Sequence, residues 1–168
     1  MKQHVISALV ENRAGTLSRV SGLFSRRGFN IDSLTVGETD DPSISRMTIA
    51  VTGDDRVLDQ IVKQVGKLID VIAVREIDSS SCLRREIMLV KVKAGEKTRP
   101  AVLEITGIFR ARVVDVSPET ITVEATGSQE KLSGLLLLLR PYGILEMART
   151  GMVALERGDK ILTTGETK

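Results

Sequence analysis

The run Val5-Ile6-Ser7-Ala8-Leu9-Val10 leads directly into Glu11-Asn12-Arg13-Ala14-Gly15-Thr16-Leu17, so a strand pattern passes through a short turn into a helix. Leu17, Val20, Leu23 and Phe24 then fall on one face of that helix, and Arg27-Gly28 supplies its stop. A helix start carries N–H groups without intrahelical partners and the positive end of the peptide dipoles, which suits a small carboxylate. Gly15 removes the Cβ that would block a close approach, and Asn12 either caps the helix or holds a polar group of a ligand. Strand, Asn-x-x-Gly-x-Leu and helix together read as an amino-acid pocket.

Outward from that stretch, strands are expected near 31–38, 45–52 and 71–77, with a second helix near 55–67. Its apolar stripe is Val57, Leu58, Ile61, Val62 and Val65. The order is βαββαβ. It returns after a polar break: strands near 86–93, 112–117, 120–126 and 144–155 alternate with helices near 98–110 and 128–140. Thr98 and Pro100 suit a helix start, and Pro118 marks a hairpin corner. The reading is an α+β chain of two ferredoxin-like domains, each an antiparallel sheet with helices on one face. Its divisions are residues 1–77, a linker at 78–84, a second domain at 85–160 and a flexible tail at 161–168. One face of each sheet is then bare, which favours a homodimer through the first domain.

The 168 residues include 42% hydrophobic ones, enough for either one core or two. Aromatic residues make up only 2%, and the net charge is +2, so neither base stacking nor a long-range field points to nucleic acid or membrane. A lone cysteine, Cys82, forms no internal disulfide and implies a reducing compartment. Met1-Lys2-Gln3-His4 shows no secretory signal core, and no apolar run approaches a membrane span, so the expected location is the cytoplasm.

Most other conspicuous residues have plain readings. His4, the sole histidine, is expected on a strand surface, and Cys82 in the linker. Asp40-Asp41-Pro42 reads as turn chemistry, and the basic pairs Arg26-Arg27 and Arg84-Arg85 as solvated or at an interface. The five leucines at 135–139 point around a helix and must be covered on most sides. Asn30 is different: it follows the first helix, where a side-by-side dimer would bring it to the partner's Asn12–Leu17 turn. A carboxamide there accepts from an ammonium and donates to a carboxylate. No dinucleotide fingerprint, Walker loop or Cys-x-x-Cys is present, so the chain reads as a sensor without catalytic residues, metal or cofactor of its own.

Asn12-Arg13-Ala14-Gly15-Thr16-Leu17-Ser18-Arg19-Val20, Gly22 through Ile31 and Ser33-Leu34-Thr35-Val36 resemble the small regulatory subunit of acetolactate (acetohydroxyacid) synthase. Ser45 to Ile49, Arg85 to Val92, Ile108-Phe109-Arg110, Ala148 to Gly151 and Arg157 to Lys160 extend the likeness over residues 3–161. The resemblance implies an N-terminal ACT domain followed by a second ferredoxin-like domain. It also implies valine binding between two ACT domains, on Asn12, Gly15, Thr16 and Leu17 of one chain and Asn30 and Ile31 of the other. Thiamine diphosphate, Mg2+ and FAD would belong to the large catalytic subunit, which condenses pyruvate with pyruvate or 2-oxobutanoate. This chain would activate that subunit and confer feedback inhibition in branched-chain amino-acid biosynthesis. The alternative is a stand-alone ACT-domain amino-acid sensor or transcriptional regulator.

Overall fold

The apolar residues Val5, Ile6, Ala8, Leu9 and Val10 lie within an inner strand of the first sheet, β1 (Lys2–Glu11), in a computed structural model that describes residues 2–78 and 80–163. β1 is followed by α1 (Thr16–Arg26), β2 (Ser33–Glu38), β3 (Ile44–Gly53), α2 (Asp55–Val65) and β4 (Val71–Ile77). The strands lie in the order β2-β3-β1-β4, all pairs antiparallel, with Ser7 opposite Thr48 on one side and Arg75 on the other. Because side chains alternate along a strand, Ile6, Ala8 and Val10 meet Met47, Ile49, Val51 and Val74 beneath Val20, Leu23 and Phe24 of α1 and Leu58, Ile61 and Val65 of α2. This is the expected βαββαβ unit.

The second half holds β5 (Cys82–Lys93), α3 (Arg99–Ile108), β6 (Arg112–Val116), β7 (Thr120–Gly127), α4 (Gln129–Leu139), a 3₁₀ turn at Arg140–Tyr142, and β8 (Ile144–Arg149). The order β6-β7-β5-β8 repeats the first sheet's topology. Its core is Met88, Val90 and Val92 with Ile121, Val123, Leu132, Leu135 and Leu139. At its outer edge Arg149 forms a two-pronged pair with Glu86, Nε to Oε1 and Nη2 to Oε2, both at 2.7 Å.

Several expectations need correction. The strand expected at 144–155 is two, β8 and β9 (Val153–Glu156), broken at Gly151, whose φ is +83°. Only Arg84–Gly151 forms the second unit; the described residues from Met152 on belong with the described residues up to Leu83. The first sheet's far side is therefore not bare: Met152 and Ala154 pack on Val5 and Ile77, Glu156 pairs with Arg75 at 2.7 Å, and the Met152 amide donates to Ser33 Oγ at 2.9 Å. Both faces of β1 are thus covered. β5 also starts four residues early, so Cys82 lies in a strand, half-buried against that same cluster, and not in a linker. Of the expected tail, Ile161 accepts from Arg75 Nη2 at 3.2 Å, and residues 164–168 lie outside those described.

His4 is likewise no surface residue: it is 2% exposed, on the helix-facing side of β1, with Nδ1 2.9 Å from Glu76 Oε1 and Nε2 3.8 Å from Asp55 Oδ1. No helix among the described residues is long and apolar enough to cross a membrane.

Candidate functional site

The turn between β1 and α1 is fixed from three sides. The Asn12 amide donates to Ser43 O at 2.8 Å, and Asn12 Nδ2 donates to Pro42 O at 2.9 Å and Glu38 Oε1 at 3.0 Å, so its side chain ties the turn to the β2–β3 hairpin and caps no helix. The hairpin is itself set by Asp41, whose Oδ1 accepts from the Ser43 amide at 2.9 Å and hydroxyl at 2.7 Å. Those bonds, the hydroxyl's first, hold the Asp41 carboxyl below the ordinary carboxylate range.

Thr16 is buried, with Oγ1 donating to Glu11 O at 3.1 Å, so its side chain anchors the helix to the strand it leaves. Arg19 Nε bonds to the nearly buried Asp70 carboxylate, and Asp70 O accepts from the Glu11 amide at 2.8 Å. Asp70 raises the Arg19 pKa through that hydrogen bond, so the guanidinium beside Gly15 is a fixed cation. Arg19 and Asp70 escaped the sequence reading. The signal was present only as Arg19 four residues after Gly15, one turn on, where its side chain reaches back toward the helix start.

Gly15 occupies the N-cap position at φ +88°, and α1 has neither a side-chain cap nor an acidic residue in its first turn. Among the described residues, the N–H groups of Ala14, Gly15, Leu17 and Ser18 have no acceptor. All four residues are exposed, Leu17 by 45%. This leaves oriented donors, an apolar side chain and the Asn12 carboxamide oxygen together on one exposed turn.

Asn30 and Ile31 are elsewhere. They follow the far end of α1, where Gly28 at φ +70° turns the chain and Phe29 N closes back on Phe24 O at 3.0 Å. Asn30 is exposed, with Nδ2 donating to Asp32 Oδ1 at 3.1 Å, and Ile31 packs partly against the core beside Leu34. Eleven helical residues, about 16 Å, separate the two groups. One chain alone therefore brings together Asn12, Gly15, Thr16 and Leu17, and leaves Asn30 and Ile31 at the opposite end.

Residues 6–73 match a family described as the AHAS small subunit-like ACT domain, and residues 85–158 match one described as the small subunit of acetolactate synthase. A probable acetolactate synthase small subunit of Methanothermobacter thermautotrophicus is 54% identical over 160 residues, 95% of each chain. This chain belongs to the acetolactate synthase small-subunit family. The isozyme 3 small subunit of Escherichia coli is 50% identical, over 95% of this chain and 99% of its own. A crystal structure of the acetolactate synthase small subunit from Thermotoga maritima is 40% identical, with a TM-score of 0.88, and covers 95% of this chain and 100% of its own. Both ends of α1 fall inside the ACT-domain match of this small-subunit chain.

Proposed function

We propose that this chain is the non-catalytic regulatory subunit of acetolactate synthase, and that it binds valine between the ACT domains of two copies. The observation that carries the reading is the set of unclaimed N–H groups at the start of α1, in a chain that matches small subunits along nearly its whole length. Valine's carboxylate takes those N–H groups, with the Arg19 cation one turn away. Its ammonium is held by the partner's Asn30 and by the Asn12 carbonyl oxygen, and its isopropyl group packs on Leu17 and the partner's Ile31. A pocket divided between the two ends of α1 needs two chains, and this couples occupancy to dimer geometry.

Whichever dimer arrangement valine favours must differ in its effect on the large catalytic subunit, the chain that carries thiamine diphosphate, Mg2+ and FAD. A coupling of about 1–3 kcal/mol suffices for feedback. The lone Cys82 fits a reducing, cytoplasmic setting for this biosynthesis.

Calorimetric titration with valine, beside Asn30→Ala, tests the reading. Valine is expected to bind at one site per chain or fewer, and the variant to bind at least roughly tenfold more weakly, since hydrogen bonds to a charged group are worth about 1.5–3 kcal/mol. With the large subunit added, valine should lower turnover of the native pair and spare the Asn30→Ala pair. Heat released by another amino acid and none by valine would sink the ligand assignment.

A further inference from the structure

On the face of the first sheet opposite α1 and α2, a cavity of about 230 Å3 lies beneath the chain's closing segment. Its floor is Ser7 of β1, Arg46 of β3 and Arg75 of β4, and Glu156, Lys160 and Ile161 close over it. The charges there do not cancel. Arg75 donates to Glu156 Oε2 at 2.7 Å and to Ile161 O at 3.2 Å, which accounts for the only carboxylate in the lining among the described residues. Arg46 is half-buried, its Nη1 reaches only the Ser7 hydroxyl at 3.2 Å, and no carboxylate among the described residues pairs with it. Burial pushes its pKa down, the mark of a cation taken from water without a counter-charge.

Lys160 adds a second positive charge; the nearby Asp78 feels it, but the hydrogen bonds that hold Asp78 low come mainly from the Ser80 amide and hydroxyl and the Ser81 hydroxyl. Ser7, 1% exposed, accepts from Arg46 and so keeps its own hydroxyl proton for another acceptor.

A half-buried guanidinium without a carboxylate is costly unless an anion completes it. We propose that this cavity is a second ligand site, separate from the α1 turn, that takes a small oxyanion of the phosphate class. Arg46 is the two-pronged ligand, Ser7 the buried donor and Lys160 the outer counter-charge. The volume falls below the roughly 300–1,000 Å3 of pockets for drug-sized molecules, so it selects a small anion over a nucleotide. Because Ser7 and Arg46 sit on the strand face turned away from α1, occupancy here does not compete with a ligand at the Asn12–Leu17 turn.

Thermal unfolding of the full chain tests this, with inorganic phosphate, acetate or chloride added at millimolar concentration and equal ionic strength, where general exclusion effects are small. Phosphate is expected to raise Tm in a saturable way that chloride does not, and Arg46→Gln to weaken the response at least tenfold. Asn30→Ala should keep it in full, which separates this site from the proposed valine site. Arg46→Lys, which retains charge but not the planar fork, should recover part of the response. If Arg46→Gln does not fold, the exposed Lys160→Gln decides, with an expected severalfold weakening. Equal Tm values in phosphate and chloride, an undiminished response in Arg46→Gln or Lys160→Gln, or saturation by acetate alone would overturn the assignment.

Discussion

Gly15 holds the α1 turn open in two ways. Its φ of +88° places it where an L side chain is strained by about 1–2 kcal/mol, and a Cβ there would sit 3.1 Å from Arg19 Nη1, the group Asp70 holds in place. Gly15→Ala is therefore expected to lower stability by about 1–2 kcal/mol in urea unfolding. Gly37→Ala, at an ordinary φ with nothing within 4 Å of the added carbon, should be neutral or slightly stabilising. Equal losses in the two would remove the special place of Gly15. The glycine and Asn12 were legible because their spacing after a strand is a local signal. The work of Thr16, Arg19 and His4 was not, since each depends on a partner distant in sequence or on a neighbouring layer: Glu11 O five residues back, Asp70 fifty-one residues on, and Glu76 seventy-two residues on.

Helices α1 and α2 carry comparable apolar stripes but begin differently, and the difference bears on where a ligand binds. Asp54 caps α2 by accepting from the Val57 amide at 2.9 Å, and Asp55 adds a carboxylate to its first turn, whereas α1 has neither feature. Asp54→Ala should cost about 1 kcal/mol of stability and leave valine titration unchanged; a loss of valine binding in that variant would move the proposed site to α2. Periodicity located all four helices to within two residues at each end, because a buried stripe repeats every three to four positions whatever its surroundings. The leucine run of α4 resolves by the same rule: Leu135, Leu136 and Leu139 are buried, while Leu137 and Leu138 stand 63% and 43% exposed. Periodicity was weakest where β8 ends, since the alternating pattern continues past the Gly151 break and four residues of β9 are too few to announce a separate strand.

That missed break changes how the first unit is built. An isolated βαββαβ sheet leaves one face to solvent or to a partner, yet here Met152, 6% exposed, and Ala154, 3% exposed, close part of that face over Val5 and Ile77. The Arg75–Glu156 pair and the bond from the Arg157 amide to Ser81 O, at 2.9 Å, hold the same segment in place. The closing segment thereby leaves strand edges and the ends of α1 as the open surfaces of the first unit, where the proposed valine-binding dimer needs them. If the closing segment is part of the fold and not an appendage, Met152→Ala must behave as a core truncation and cost about 2–3 kcal/mol. Val153→Ala, at the next position along and 48% exposed, should cost under about 0.5 kcal/mol. Urea unfolding of both variants decides the matter. A Met152→Ala loss no larger than that of Val153→Ala would mean the sheet face is stabilised from elsewhere, and the cavity around Arg46 would lose its lid with it.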